Sequence, residues 1–131
     1  MGEVVTNFQT YEQAKQNACA VLGNNFTPVR ADPYKGRLGD GTDQIVGIEL
    51  WDRARKVARI RLDLDVPKGI HMNTEDWQTN TTRKTASCIQ GTRDKPTAEN
   101  AVLYSQYVKA LYGLEGMTIW TWWKTGSKPV Q

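Results

Sequence analysis

The sequence predicts a two-layer α+β domain, and three observations carry that prediction. Apolar residues recur at helical spacing in two separated segments, 11–22 and 98–112. Between them, three consecutive segments alternate apolar and polar residues, and short turn signals join those segments. A sheet with one apolar face must be covered, and helices cover it most simply. The expectation is therefore an N-terminal helix, an antiparallel sheet of about four to five strands, and helices packed on one face.

A chain of 131 residues suits a single domain spanning 1–131, large enough to bury one core without metals or many disulfides. Mean hydropathy is −0.59, and no apolar run reaches the ~18 residues of a membrane span, so no stable membrane association is expected. The first residues, Met1 to Val5, lack the basic-then-apolar pattern of a secretory signal. Seventeen Lys and Arg against fourteen Asp and Glu leave a net charge of +3, a mild bias towards anionic partners.

The first helix begins where Thr10 can cap it and Gln13, three residues on, completes a capping box. Ala14, Ala18, Val21 and Leu22 form its apolar stripe, and Gly23 stops it. Residues 24–43 carry two prolines and three glycines more often found in loops, so this segment is expected to be mostly irregular, with short extended pieces near Phe26–Arg30. Gln44–Trp51 then reads as a strand with Val46, Ile48 and Leu50 on one face. Lys56–Asp65 follows with Ala58, Ile60, Leu62 and Leu64, and Ile70–Asp76 with Ile70 and Met72. Turns at 52–55 and 67–69 make these three an antiparallel meander.

Thr79–Lys84 reads as loop and Thr85–Gln90 as a fourth strand. Pro96-Thr97 starts the second helix, whose face is Val102, Leu103, Tyr107, Val108 and Leu111. The tryptophan-rich Met117–Lys124 is expected as an edge strand or packed tail, and 126–131 as a frayed end.

The strand phases gather Glu49, Arg59, Arg61, Asp63, His71, Asn73 and Glu75 on the polar face. Such a face is ordinary if it is merely solvated. It is also sufficient for cutting RNA. That chemistry needs a base for the ribose 2′-OH, an acid for the leaving 5′-oxygen, and cations for the phosphate. His71, the one histidine, suits acid or base work, with Glu49 or Glu75 as its counterpart. Arg59 and Arg61 offer two-pronged contacts to phosphate, and Lys68 adds a cation just before His71. Asn73 could orient a base or ribose. Trp120, Trp122 and Trp123 could stack on bases, although packing into the core is the plainer role for them. Cys19 and Cys88 are too far apart for a CxxC pattern, and one histidine does not complete a usual zinc set. Two buried thiols, or one disulfide, are expected, with no metal and no cofactor.

Residues Arg59 to Asp76 resemble a segment of the C-terminal toxin modules of bacterial polymorphic toxins, the warheads of contact-dependent growth inhibition and Rhs-type proteins. The likeness lies in an arginine-rich strand, an acidic residue, and the run Lys68-Gly69-Ile70-His71-Met72-Asn73. Pro33-Tyr34-Lys35-Gly36-Arg37 resembles the Tyr-x-Gly-Arg stretch upstream of it, which adds Lys35 and Arg37 as candidate substrate contacts. The resemblance covers residues 33–76.

It implies a barnase-like fold and a metal-independent endoribonuclease toxin cleaving cellular RNA, with tRNA favoured. It also implies a monomer masked by a cognate immunity protein, carried on a secreted or cell-surface toxin and acting in the target-cell cytoplasm. The rival readings are a toxin of another enzyme class, DNase or nucleotide transferase, and a non-catalytic binding module. Gly36-x-x-Gly39-x-Gly41 does not form the phosphate loop a transferase needs.

Overall fold

The computed structural model describes residues 2–37, 41–93, 95 and 97–125. Its strands are β1 (Val4–Phe8), β2 (Arg30–Arg37), β3 (Asp43–Asp52), β4 (Arg55–Asp65), β5 (Gly69–Asp76) and β6 (Arg83–Ile89). Its helices are α1 (Tyr11–Ala20), α2 (Gln90–Arg93), α3 (Thr97–Lys109) and α4 (Gly116–Thr125). The strands form one mixed sheet in the order β1-β6-β5-β4-β3-β2. The α+β class and the antiparallel meander β3-β4-β5 are as the alternation predicts, and β6 extends the meander as the expected fourth strand.

Thr10 and Gln13 form the capping box at the start of α1; such a cap is worth about 1 kcal/mol. One face of the sheet supplies Ile48, Leu50, Ala58, Ile60, Leu62, Ile70 and Met72, all buried in one cluster with side chains of α1 and α4. Leu103, Tyr104 and Tyr107 of α3 pack against the same cluster. Burying each large aliphatic side chain contributes about 1.5–3 kcal/mol. Thr74 faces that layer and donates a hydrogen bond to the Ala18 carbonyl (2.7 Å), which ties α1 to the middle of the sheet.

Three segments differ from the sequence expectation. Residues 24–43 are not mostly irregular, because Arg30–Arg37 forms the edge strand β2. Pro33 and Gly36 are tolerated there because an edge strand has one unpaired side, and a register shift at Tyr34/Lys35 absorbs the irregularity. Residues 4–8, given no element from sequence, form β1, which pairs parallel to β6 with Val5 opposite Ala86 and Asn7 opposite Cys88. Met117–Lys124 is neither strand nor tail but lies within helix α4.

Gly116, Ile119, Trp120 and Trp123 fall on the buried face of α4 at helical spacing. Gly116 lies so close to the edge strand that a β-carbon there would stand 1.8 Å from the Ala31 carbonyl oxygen. Trp120, Trp122 and Trp123 are buried in the core and offer no stacking surface for bases. Cys19 and Cys88 are free, buried thiols. Among the described residues no helix is long and apolar enough to cross a membrane. The expectations for Pro96 and for the tail 126–131 fall outside the described residues.

Candidate active site

The antiparallel register of β4 and β5 builds the site. It sets Asp63 opposite His71, Arg61 opposite Asn73 and Arg59 opposite Glu75, all on the face away from the helices. Glu49 of β3 joins them opposite Arg59. The polar face read from the alternation is therefore assembled as predicted, but it divides into two groups.

The first group surrounds His71, which is fully buried rather than exposed on a solvated face. Nδ1 lies 3.0 Å from the Gly69 carbonyl oxygen. A carbonyl only accepts, so Nδ1 carries the proton and donates it there. Gly69 has φ +64°. A β-carbon at this position would come within 2.5 Å of Thr92 Oγ1, the atom that accepts the Ile70 amide hydrogen bond (2.9 Å). Glycine at position 69 is thus required by backbone geometry as well as by α2 packed over it.

The other ring nitrogen, Nε2, faces the acidic and amide side chains. Asn73 Nδ2 donates to Asp63 Oδ2 (3.1 Å) and lies 3.3 Å from His71 Nε2. The carboxylate can only accept, so it fixes which end of the amide points this way and leaves Nε2 as an acceptor. Asp63 Oδ2 and Asp65 Oδ2 stand 3.8 and 3.9 Å from Nε2. Arg61 Nη2 is 3.7 Å from Asp63 Oδ2, and Lys68 Nζ is 3.7 Å from Asp65 Oδ2. Asn73 Oδ1 is buried without a hydrogen-bond partner.

The second group centres on Arg59. Its Nη2 and Nε donate to Glu49 Oε2 (2.7 and 3.1 Å), and Nη1 reaches Glu75 Oε2 at 3.5 Å. The guanidinium carbon lies 4.4 Å from the Tyr34 ring centre and 5.2 Å from that of Trp77. Lys56 Nζ adds a contact to Glu49 at 3.1 Å. Burial pushes the Glu49 carboxyl up, but the hydrogen bonds and charges of Arg59 and Lys56 outweigh it and hold it below its ordinary value.

The structure thus brings His71, Asn73, Arg61 and Lys68 together, and adds Asp63 and Asp65. Glu75 lines the same cleft as Arg61, Asp63 and Asn73. Glu49 and Arg59 stand apart from the ring, since Glu75, the partner of Arg59, is four residues from His71, about 13 Å of strand. Lys35 and Arg37 lie on β2, separated from β5 by two strands, and Arg37 Nε is 3.9 Å from Asp43.

Asp63 and Asp65 were visible in the polar phase of β4. Their role was not, because only the β4–β5 register turns them towards Nε2. Tyr104 had no sequence signal at all. Its hydroxyl donates to the Leu62 carbonyl (3.1 Å), and burial, with the Asp63 charge adding, pushes the phenol up to about 12.

With carboxylates, a lone-pair imidazole nitrogen and flanking cations on one face, this site can move a proton beside a phosphate. Residues 5–125 match the protein family described as ribonuclease ageritin-like. The chain belongs to the ageritin-like ribonuclease family. Ribonuclease activity agrees with the chemistry expected of the polar face. The match supports a ribonuclease-type domain and does not extend to the bacterial toxin context implied by the resemblance of residues 33–76. No curated protein matches this ribonuclease. Among its described residues, no group of three or more His, Cys, Asp or Glu side chains is arranged to hold a metal ion as it stands.

Proposed function

We propose that this ribonuclease is an endonuclease that cuts RNA through the ribose 2′-OH, using the Nε2 edge of His71. The observation that carries the reading is the oriented imidazole, with Nδ1 3.0 Å from the Gly69 carbonyl oxygen and Nε2 3.3 Å from the Asn73 amide nitrogen, beside Asp63. Nε2 takes the 2′-OH proton, the 2′-oxygen attacks phosphorus, and the 5′-oxygen leaves with a proton. The products carry 2′,3′-cyclic phosphate and 5′-OH ends. Arg61 and Lys68 meet the charge growing on the phosphate oxygens. Asp63, 3.8 Å from Nε2, is the carboxyl for the second proton, while Glu75 lines the same cleft but is engaged by Arg59. Arg59, its guanidinium near the Tyr34 and Trp77 rings, serves the neighbouring nucleotide through charge and stacking.

Cellular RNA is the substrate class, with tRNA the first to test. A toxin role with a masking immunity protein extends the reading, and its support is the resemblance of residues 33–76.

A second reading rests on one observation: Asp63 and Asp65 flank Nε2 at 3.8 and 3.9 Å, and their carboxylates are partly exposed. Carboxylate and imidazole are ligand types for divalent cations, so a small swing of the two side chains could make a cation site.

One experiment separates these. Total RNA is incubated with the protein and with His71→Ala, in EDTA and in Mg²⁺. Cleavage in EDTA that is lost in the variant supports the metal-free mechanism, and cleavage only with Mg²⁺ supports the cation. Intact RNA in every lane would overturn both.

A further inference from the structure

His71 is fully buried, yet a nuclease must bring RNA to its Nε2. A cleft of about 180 Å³ reaches Asp63 and Asn73, which flank the ring, and is lined also by Arg61, Lys68 and Lys84 and by the carboxylates Glu3 and Glu75. Lys68 Nζ binds Glu3 Oε1 at 3.0 Å and stands 3.7 Å from Asp65 Oδ2. Asp65 and Asp63 in turn flank Nε2. The Glu3 carboxylate therefore joins a line of charges that ends at the catalytic ring.

We propose that this carboxylate occupies the subsite of a substrate phosphate, so that RNA enters by displacing Glu3 from Lys68. The inference rests on the ribonuclease reading above and names the phosphate-binding half of that site.

Three features support it. A carboxylate and a phosphodiester both offer a pair of anionic oxygens to an ammonium or guanidinium. The cleft gathers three cations, Arg61, Lys68 and Lys84, from three different strands and turns. Glu3 precedes β1, outside the sheet ladder, so its side chain can leave without breaking strand pairing. The Glu3 and Lys68 side chains keep 27% and 26% of their exposure. A partly exposed pair of this kind is weak enough for a phosphate to replace.

The test uses Glu3→Gln, which keeps the shape and removes the charge. Inorganic phosphate is titrated into the parent and the variant, followed by NMR at the Lys68 and Asp63 resonances, and RNA cleavage is measured in parallel. Phosphate should bind about fivefold tighter to Glu3→Gln, and kcat/KM for RNA should rise by a similar factor through KM, the scale of one partly exposed ion pair. Adding Lys68→Ala to the variant should abolish the gain. If phosphate binds the variant more tightly while neither protein cuts RNA, the subsite stands and the ribonuclease reading fails. Unchanged or weaker phosphate binding in Glu3→Gln overturns the proposal, whatever the RNA result.

Discussion

Asp63 and His71 face each other across β4 and β5 as directly opposed residues, with Asp63 Oδ2 3.8 Å from His71 Nε2 and Asn73 Nδ2 reaching both. At that separation the two do not share a hydrogen bond. The asparagine amide holds them in register and leaves room for a reacting proton.

Replacing Asp63 by Asn should lower kcat for RNA cleavage by about 100-fold or more, the scale of a lost acid–base partner. The fold should persist, because the Asp63 side chain is 39% exposed. Single-turnover kinetics with a short RNA, alongside thermal unfolding, checks both halves. Full activity in Asp63→Asn would remove the carboxylate from the mechanism.

The Glu49 carboxyl is held below its ordinary value in the folded chain. A group depressed on folding adds stability that is fully present above its unfolded pKa, about 4.3. That stability is lost as pH falls through the lower folded value. The parent should therefore lose more stability than Glu49→Gln between pH 6 and pH 3. Urea denaturation across that range measures the difference, and parallel curves would show that Arg59 and Lys56 contribute nothing through this charge.

Gly69→Ala should destabilise the protein by about 2 kcal/mol or more, since it forces a left-handed residue and a collision with Thr92 at once. It should also reduce cleavage in molecules that remain folded, because the Gly69 carbonyl fixes His71 Nδ1. Chemical denaturation and activity per folded molecule separate the two effects.

Cys19 and Cys88 are buried and free, and burial pushes both thiols up. The thiolate is the reactive form, so neither should react with a thiol-specific dye in the native protein. Both should react after denaturation without reductant. Rapid native labelling of Cys19 would show that the helix layer opens easily, and of Cys88 that the His71 face does.

Much of the fold was legible because burial imposes a period. Ile48, Leu50, Ile60, Leu62, Ile70 and Met72 alternate in the chain and all lie on the covered face. The same logic could have found α4, where 116, 119, 120 and 123 follow the helical period. Aromatic composition, which favours strands, hid it. β2 was hidden by Pro33 and Gly36, turn residues that an edge strand accepts. β1 was hidden because its five residues pair with β6, about eighty residues later, and no local pattern reports a pairing so distant.

The sequence by itself determined which residues share the polar face, because alternation is a property of each strand alone. Only the tertiary structure decided which of them work together. Register is a relation between strands, and it put Asp63 beside His71 while tying Glu49 to Arg59. The burial of His71 and the reach of Lys68 to Glu3 were likewise decided by elements far apart in the chain, whose meeting is fixed by packing and not by any local pattern.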